Sequence, residues 1–356
     1  MTMARTVLIA AGGTGGHLFP GIAVADELRR RDPQTRVVFA GTPRGLESRI
    51  VPRAGYELVL LPILPLKGIG PARTAKGVLA LPRALWQAGA LVRRYRPFAV
   101  LGVGGYAGGP VVLLAALQRV PTVILEPNAK PGFTNRVLKP FVRRCACSYP
   151  EAAREFGDKG VITGNPVRGG FASLPRKDHR EPYTVLVFGG SQGSRILNRA
   201  LAAALPHLPG PGRLRLVHQT GEAMRDEVAA AYAAASRPAE VLAFLDDMEA
   251  RFAQADLVVS RSGATTCAEL TAAGKAAVLV PFAQAADDHQ RSNARAMEAA
   301  GAARMIEEKD LTGERLAAVV NEVLADPRRL AAMEDAARSL GKADAAARVA
   351  DLLENA

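Results

Sequence analysis

The chain has 356 residues, a formal net charge of +12, 49% hydrophobic residues and three cysteines. That length allows two domains of ordinary size, and that apolar content suffices for two cores and excludes global disorder. No apolar run approaches the ~20 residues that cross a bilayer, and three sparse cysteines argue against a disulfide framework and for a reducing cytoplasm.

The charge is unevenly spread. Residues 1–165 hold 23 Lys+Arg against 9 Asp+Glu, and the remainder holds 23 against 25. No acidic residue stands between Glu57 and Glu126, where Lys67, Arg73, Lys76, Arg83, Arg93, Arg94, Arg96 and Arg119 all fall. A face built from this stretch suits something negative: nucleic acid, anionic lipid or a phosphorylated substrate.

Residues 6–11 read as a short apolar strand. They run straight into Gly12-Gly13-Thr14-Gly15-Gly16-His17, so they are not a signal peptide. A helix follows from about Pro20 to Arg31. Strand, glycine loop and helix together cradle phosphate, because glycine lets the backbone approach an anion closely. Gly-Lys-Ser/Thr is missing, so the loop is not a Walker loop. His17 reads either as a packing residue or as a titrating group beside a bound anion.

Residues 37–40 form a second strand, and 65–71 a glycine- and proline-rich loop. Residues 76–96 are expected to be helical, interrupted near Pro82. Val78, Leu79, Leu81, Leu85, Trp86 and Leu91 sit there among basic residues. That mixture describes a helix lying in a lipid interface, or a core-packed amphipathic helix with a solvated basic edge.

Residues 99–104 form another strand. Gly102-Val-Gly104-Gly-Tyr-Ala107 matches the dinucleotide fingerprint in its alanine variant, and a strand at 122–125 ends at Glu126, near where a ribose-binding acid would lie. An NAD(P)-dependent oxidoreductase using this 102–126 unit is the alternative reading. Pro110 and the extra glycines argue for a wider loop than a pyrophosphate turn needs. Cys145-Ala-Cys147 is a poor zinc site and reads as buried small residues.

Residues 163–182 lack periodicity and hold the expected linker. The opening pattern then recurs: a strand at 184–188, the loop Gly189-Gly190-Ser191-Gln192-Gly193-Ser194, and a helix to about Ala204. Strands at 214–218, 241–244, 255–259 and 276–280 alternate with helices, which means a parallel sheet covered on both faces. The tail from Thr312 is helical, with breaks near Pro327 and Gly341. Two doubly wound α/β domains are therefore expected, facing across a cleft, with glycine loops at the carboxyl ends of their strands.

Ser260 to Glu269 gathers the strongest signal. A helix beginning near Ala264 at the end of a strand points free N–H groups outward and suits a phosphate. Glu269 leans back toward that end and could face a neighbouring sugar hydroxyl. Its plain alternative is a solvated surface charge.

Gly12–His17, Gly104-Gly105-Tyr106-Ala-Gly-Gly-Pro110, Gly164-Asn-Pro-Val-Arg168, Gly189–Gly193 and Arg261-Ser-Gly-Ala-Thr-Thr-Cys-Ala-Glu269 occur together and in order, with Pro281-Phe282 and Asp287-Asp-His-Gln290. In this combination, over residues 6–310, the chain resembles the MurG family. Those enzymes move N-acetylglucosamine from UDP-GlcNAc to undecaprenyl-diphospho-MurNAc-pentapeptide (lipid I), making lipid II for peptidoglycan.

The resemblance implies a GT-B fold. An acceptor- and membrane-facing N-domain would span 1–163, joined by about 341–356, and a UDP-GlcNAc-binding C-domain 164–340. It implies that Thr14, Gly15 and Gly16 line the donor side, that Asn128 touches the donor sugar, and that Arg168 and Ser191 meet uridine and diphosphate. Leu245 would contact uracil through its backbone. Ala264, Thr265, Thr266, Cys267, Ala268 and Glu269 would hold diphosphate and ribose, and Gln290 the sugar hydroxyls. Gly104, Gly105 and Tyr106 would receive the acceptor's diphosphate, and the Trp86 helix would rest on the anionic inner leaflet. The implied localisation is peripheral, on the cytoplasmic face of the cell membrane, with no nucleic acid partner and no cofactor. The family has Ser where Gly108 stands, and His-Glu-Gln-Asn where Leu125-Glu126-Pro127-Asn128 stands.

The expected chemistry is a single inverting displacement by the acceptor C4 hydroxyl on the sugar C1. It needs a base within hydrogen-bond reach, with His17 the first candidate and Glu126 the second. No Asp-x-Asp pair occurs, so a metal-held nucleotide is not indicated.

Overall fold

A computed structural model describes residues 5–12, 15–43, 45–63, 71–285 and 288–356, with the backbone alone at 71–81, 106 and 107. Thr14, Asp287, Lys67 and most of the 65–71 loop therefore lie outside the described residues, as does the Tyr106 side chain. The chain divides into two compact units, Met1–Arg168 with Ala343–Ala356, and Gly169–Lys342.

The first unit is built on strand β1 (Thr6–Ala10), whose residues alternate between two cores. Leu8 and Ala10 pack with Ala84, Ala88, Val111 and Ala115 on one face. Val7 and Ile9 pack with Leu18, Ile22, Ala25 and Leu28 on the other. A strand covered on both faces needs no polar alternation, so it reads as a continuous apolar run. β2 (Arg36–Gly41), β3 (Glu57–Leu60), β4 (Ala99–Gly102), β5 (Thr122–Glu126), β6 (Arg144–Cys147) and β7 (Gly160–Ile162) complete a parallel sheet in the order β3-β2-β1-β4-β5-β6-β7. In register, Val7 faces Val37 on one side and Ala99 on the other.

Two expectations change here. β3, β6 and β7 are too short or too poor in branched residues to stand out by pattern; pairing at the sheet margins makes them strands. The helix expected to be interrupted near Pro82 is one helix, Pro71–Tyr95. Proline removes one backbone hydrogen bond, but its fixed φ is helical. Buried Ala84, Ala88, Leu91 and Val92 hold the remaining turns on the sheet. Cys145 and Cys147 share one face of β6, both buried in the core, with their sulfurs 3.5 Å apart.

The last helix, Ala345–Glu354, belongs to this first unit. Val349, Ala350 and Leu353 join the core of Leu18 and Ile22. The Arg31 guanidinium Nη1 donates to Asp351 and Glu354, each at 2.6 Å, and Nη2 to the Ala347 carbonyl.

The second unit repeats the plan. β8 (Tyr183–Phe188), β9 (Leu214–Gln219), β10 (Glu240–Leu242), β11 (Leu257–Ser260), β12 (Ala277–Leu279) and β13 (Ala303–Met305) form a parallel sheet in the order β10-β9-β8-β11-β12-β13. β13 was not expected from its Ala-Arg-Met sequence. In each sheet the winding reverses beside the first strand, at β1/β4 and at β8/β11. Ligands bind outside the carboxyl ends of strands at such reversals.

At the opposite ends of β8 and β11 lies a buried charge cluster. Asp256 accepts the Thr184 N–H at 2.7 Å, together with Lys177 Nζ and His179 Nδ1. Glu334 faces His179 at 3.6 Å and the fully buried Lys275 at 3.3 Å. The cluster anchors residues 177–184 to the helix Pro327–Leu340. Its hydrogen bond to Asp256, and then the Glu334 carboxylate beside it, push the His179 imidazole up to about 9. The folded value lies above the ordinary 6.5, so the stabilisation is complete below pH 6.5 and is lost as pH rises through about 9. Urea midpoints of the wild type should fall across that window, and His179→Gln should flatten the dependence.

Candidate active site

At the reversal of the first sheet, the loops after β1 and β4 touch backbone to backbone. Gly104 has φ 109° and Gly105 φ 76°. A Cβ on Gly105 would lie 2.0 Å from the Gly12 carbonyl oxygen, and one on Gly104 2.5 Å from the His17 ring. Glycine is required here because two protein loops press together. That contact accounts for the fingerprint-like spacing at 102–107 without a dinucleotide. The helix Gly105–Leu117 begins with no side-chain cap on its first turn.

Glu126 removes the other support for a dinucleotide. It is buried, and Oε1 accepts from the Asn128 N–H (3.0 Å) and Nδ2 (3.2 Å). Oε2 accepts from the Gly132 N–H (2.9 Å) and Asn135 Nδ2 (2.8 Å). Burial pushes its carboxyl up, against these four donors. Glu126, expected as the second candidate base, is thus committed to shaping its own 126–135 loop. Asn128 gives one of its two amide N–H groups to the same carboxylate.

His17 lies in the first turn of the helix Gly15–Arg31, with its ring against Gly104. Burial holds its imidazole below the ordinary range, with the Glu47 carboxylate opposing. The ring is therefore neutral at neutral pH and able to accept a proton. Glu47 is itself buried, and its Oε1 accepts the Thr42 N–H and hydroxyl at 2.7 and 2.8 Å. Gly15 is buried and Gly16 partly so. Arg168, expected to meet uridine and diphosphate, closes this same unit with its guanidinium 4.4 Å above the Phe19 ring.

At the reversal of the second sheet, β8 leads into a tight glycine turn. A Cβ on Gly193 (φ 73°) would lie 1.9 Å from the Thr220 carbonyl oxygen. Ser191 is partly exposed on that turn, and Ser194 caps the helix Arg195–Ala204 through the Leu197 N–H. β11 leads through Arg261, Ser262 and an extended Gly263 into the helix Ala264–Ala273, which has no side-chain cap. Ala264, Thr265, Thr266 and Ala268 are partly exposed. Glu269 is buried and shares a helix face with Thr265, which excludes the solvated surface charge. Cys267 does not face this edge: its thiol packs in the core, where burial pushes it up to about 12, and its N–H donates to the Gly263 carbonyl.

Gln290 is held at both ends. Its Oε1 accepts the Phe282 N–H at 3.0 Å and its carbonyl accepts the Ser262 hydroxyl at 2.8 Å, so neither contact uses its amide NH2. Leu245 is buried and donates its N–H to Gln219 Oε1, while Gln219 Nε2 donates to the Gly190 carbonyl. The Leu245 N–H is thus spent within the protein. Sequence reasoning misses Gln219 and Glu47; Gln219 is a polar residue ending an apolar strand, a signal that could have found it, whereas Glu47 lies in the first turn of the helix Glu47–Arg53 with no such signal. Among the described residues no group of three His, Cys, Asp or Glu could hold a metal.

Models of glycosyltransferase family 28 match both units, the N-terminal domain at residues 7–147 and the C-terminal domain at 184–349. The UDP-N-acetylglucosamine--N-acetylmuramyl-(pentapeptide) pyrophosphoryl-undecaprenol N-acetylglucosamine transferase of Anaeromyxobacter sp. (strain Fw109-5) is 50% identical over 351 residues, 97% of this chain and 92% of that one. The protein of that name from Syntrophus aciditrophicus (strain SB) is 46% identical, covering 98% of each chain. The crystal structure of Acinetobacter baumannii MurG superposes with a TM-score of 0.77 at 31% identity, covering 99% of this chain and 100% of that one.

The geometry separates two roles for Glu126. Glu126→Ala should lower the urea-denaturation stability by about 3 kcal/mol, because four donors lose their acceptor. A catalytic base would instead cost turnover at unchanged stability.

Proposed function

The chain belongs to the MurG family of family 28 glycosyltransferases, and from that premise we propose how its two units divide the reaction. The enzyme transfers N-acetylglucosamine from UDP-GlcNAc to lipid I, giving lipid II. Its fold is GT-B, two doubly wound parallel-sheet domains.

The observation that carries the donor assignment is the uncapped start of the helix Ala264–Ala273, with the buried Glu269 behind it, at the β8/β11 reversal. The N–H groups of residues 264–266 and the positive end of the helix suit the UDP diphosphate. Glu269 takes the ribose hydroxyls, Ser191 the phosphate side and Gln290 the sugar hydroxyls. The Leu245 carbonyl meets the uracil edge.

The acceptor diphosphate belongs on the Gly104–Tyr106 helix start of the first unit. The acceptor C4 hydroxyl oxygen attacks C1 of the sugar, its proton passes to His17, and the bond from C1 to the UDP oxygen breaks with inversion. A neutral His17 can accept that proton, and the Glu47 carboxylate favours the imidazolium that results. As UDP leaves, charge grows on its terminal phosphate, where the helix N–H groups oppose it.

No described helix is long and apolar enough to cross a membrane. Trp86 is 69% exposed on the helix Pro71–Tyr95 beside exposed Arg83, Arg93 and Arg94. Such an apolar, basic face suits an anionic inner leaflet, which is where the acceptor's lipid lies.

Two measurements test this reading. Glu269→Ala should weaken UDP binding by about tenfold or more in calorimetry, since a carboxylate hydrogen-bonding two hydroxyls is lost. His17→Ala should lower kcat by about 10²–10⁴ at saturating acceptor with UDP affinity intact; near-wild-type turnover would remove His17 as the base.

A further inference from the structure

Arg261 has no task in the reaction above, yet it is buried at the centre of the donor edge. Its Nε donates to Ser194 Oγ at 3.2 Å, which reaches the glycine turn after β8. Its Nη1 donates to the Val280 and Pro281 carbonyls at 3.2 Å each, which reaches the loop after β12. The same Nη1 meets Glu308 Oε2 at 2.6 Å, beyond β13. The guanidinium carbon also lies 5.3 Å from the centre of the Phe282 ring. One planar cation thus joins the carboxyl ends of four strands, a task its fixed fork of donors suits and a lysine could not perform.

The residues next to those contacts are the ones that hold Gln290. Ser262, adjacent to Arg261, donates its hydroxyl to the Gln290 carbonyl. Phe282, stacked on Arg261, donates its N–H to the Gln290 side chain. Asn293, one helical turn on, donates to the Ser262 carbonyl. A buried guanidinium without a carboxylate would be costly and would loosen these contacts; Glu308 supplies the carboxylate.

We propose that Arg261 and Glu308 are positioning residues for sugar recognition: through Ser262 and Phe282 they aim the Gln290 amide at the N-acetylglucosamine hydroxyls of the donor. The proposal rests on the donor assignment given above. It goes further in making the Arg261–Glu308 pair responsible for the preference for the sugar nucleotide over UDP alone. The diphosphate site at residues 264–266 and the buried Glu269 are formed by the helix itself and do not need the pair.

The test is calorimetric titration of the full chain with UDP and with UDP-GlcNAc, for wild type, Glu308→Gln and Phe282→Ala. Glu308→Gln keeps the shape and removes the charge. Phe282 is 38% exposed, so its truncation leaves the fold intact even where the buried variant does not fold. Both variants should weaken UDP-GlcNAc binding by about tenfold relative to UDP, the size of one lost oriented hydrogen bond. General destabilisation would move both ligands together and leave the ratio unchanged. A ratio within about twofold of wild type in the folded variants overturns the proposal alone. A wild-type chain that binds neither ligand overturns the donor assignment and the proposal with it.

Discussion

A helix that starts without a side-chain cap leaves its first N–H groups, and the positive end of its dipole, to an anion from outside. The helices beginning at Gly105 and Ala264 both start this way, each directly after a strand beside a reversal of sheet order. Ser194, Thr312 and Asp326 each accept an N–H from the turn that follows; the helices starting after Leu46, Gly132, Tyr149, Met224, Asp247, Asp288 and Asp344 also lack a side-chain cap, but none of these follows a strand at a reversal of sheet order. The placement matters because the substrates of this family each carry a diphosphate, and the proposed function puts one at each of these two starts.

Leaving such ends open requires that everything around them be held by other means. In the first unit, glycines let the β1 and β4 loops meet backbone to backbone, and Glu126 gathers four donors to shape the loop beyond β5. In the second, Arg261 draws the ends of the neighbouring strands together. Glu126 and Arg261 are charged, and both are buried. A charged group taken from water without such partners would destabilise the unit. The same charges, satisfied, fix loops that have no regular hydrogen bonding of their own.

The charge cluster of Asp256, His179, Glu334 and Lys275 shows the same logic at the far end of the second sheet. There it secures the chain's entry into β8 against a late helix, away from any proposed ligand. Arg261 and Glu126 hold loops at carboxyl ends of strands, whereas Asp256, His179, Glu334 and Lys275 secure the amino ends.

Much was legible in the sequence because the signals were local. The apolar runs of β1, β4, β5, β8 and β11, the glycine clusters that follow them, and the breaks at Pro327 and Gly341 each depend on neighbouring residues. Their alternation with helices sufficed for two parallel sheets and, with the motifs in order, for the family. Other properties belonged to the tertiary structure because their partners lie far along the chain. Pairing at the sheet margins made strands of β6 and β13, and sheet contacts carried a helix through Pro82. Only the folded loop shows Glu126 spending both oxygens on its own turn, and only the packed helix turns Cys267 inward while Glu269 sits behind the open N-terminus. Spacing says which residues share a turn. Which of them is already bonded when a substrate arrives is decided by what the fold brings against it.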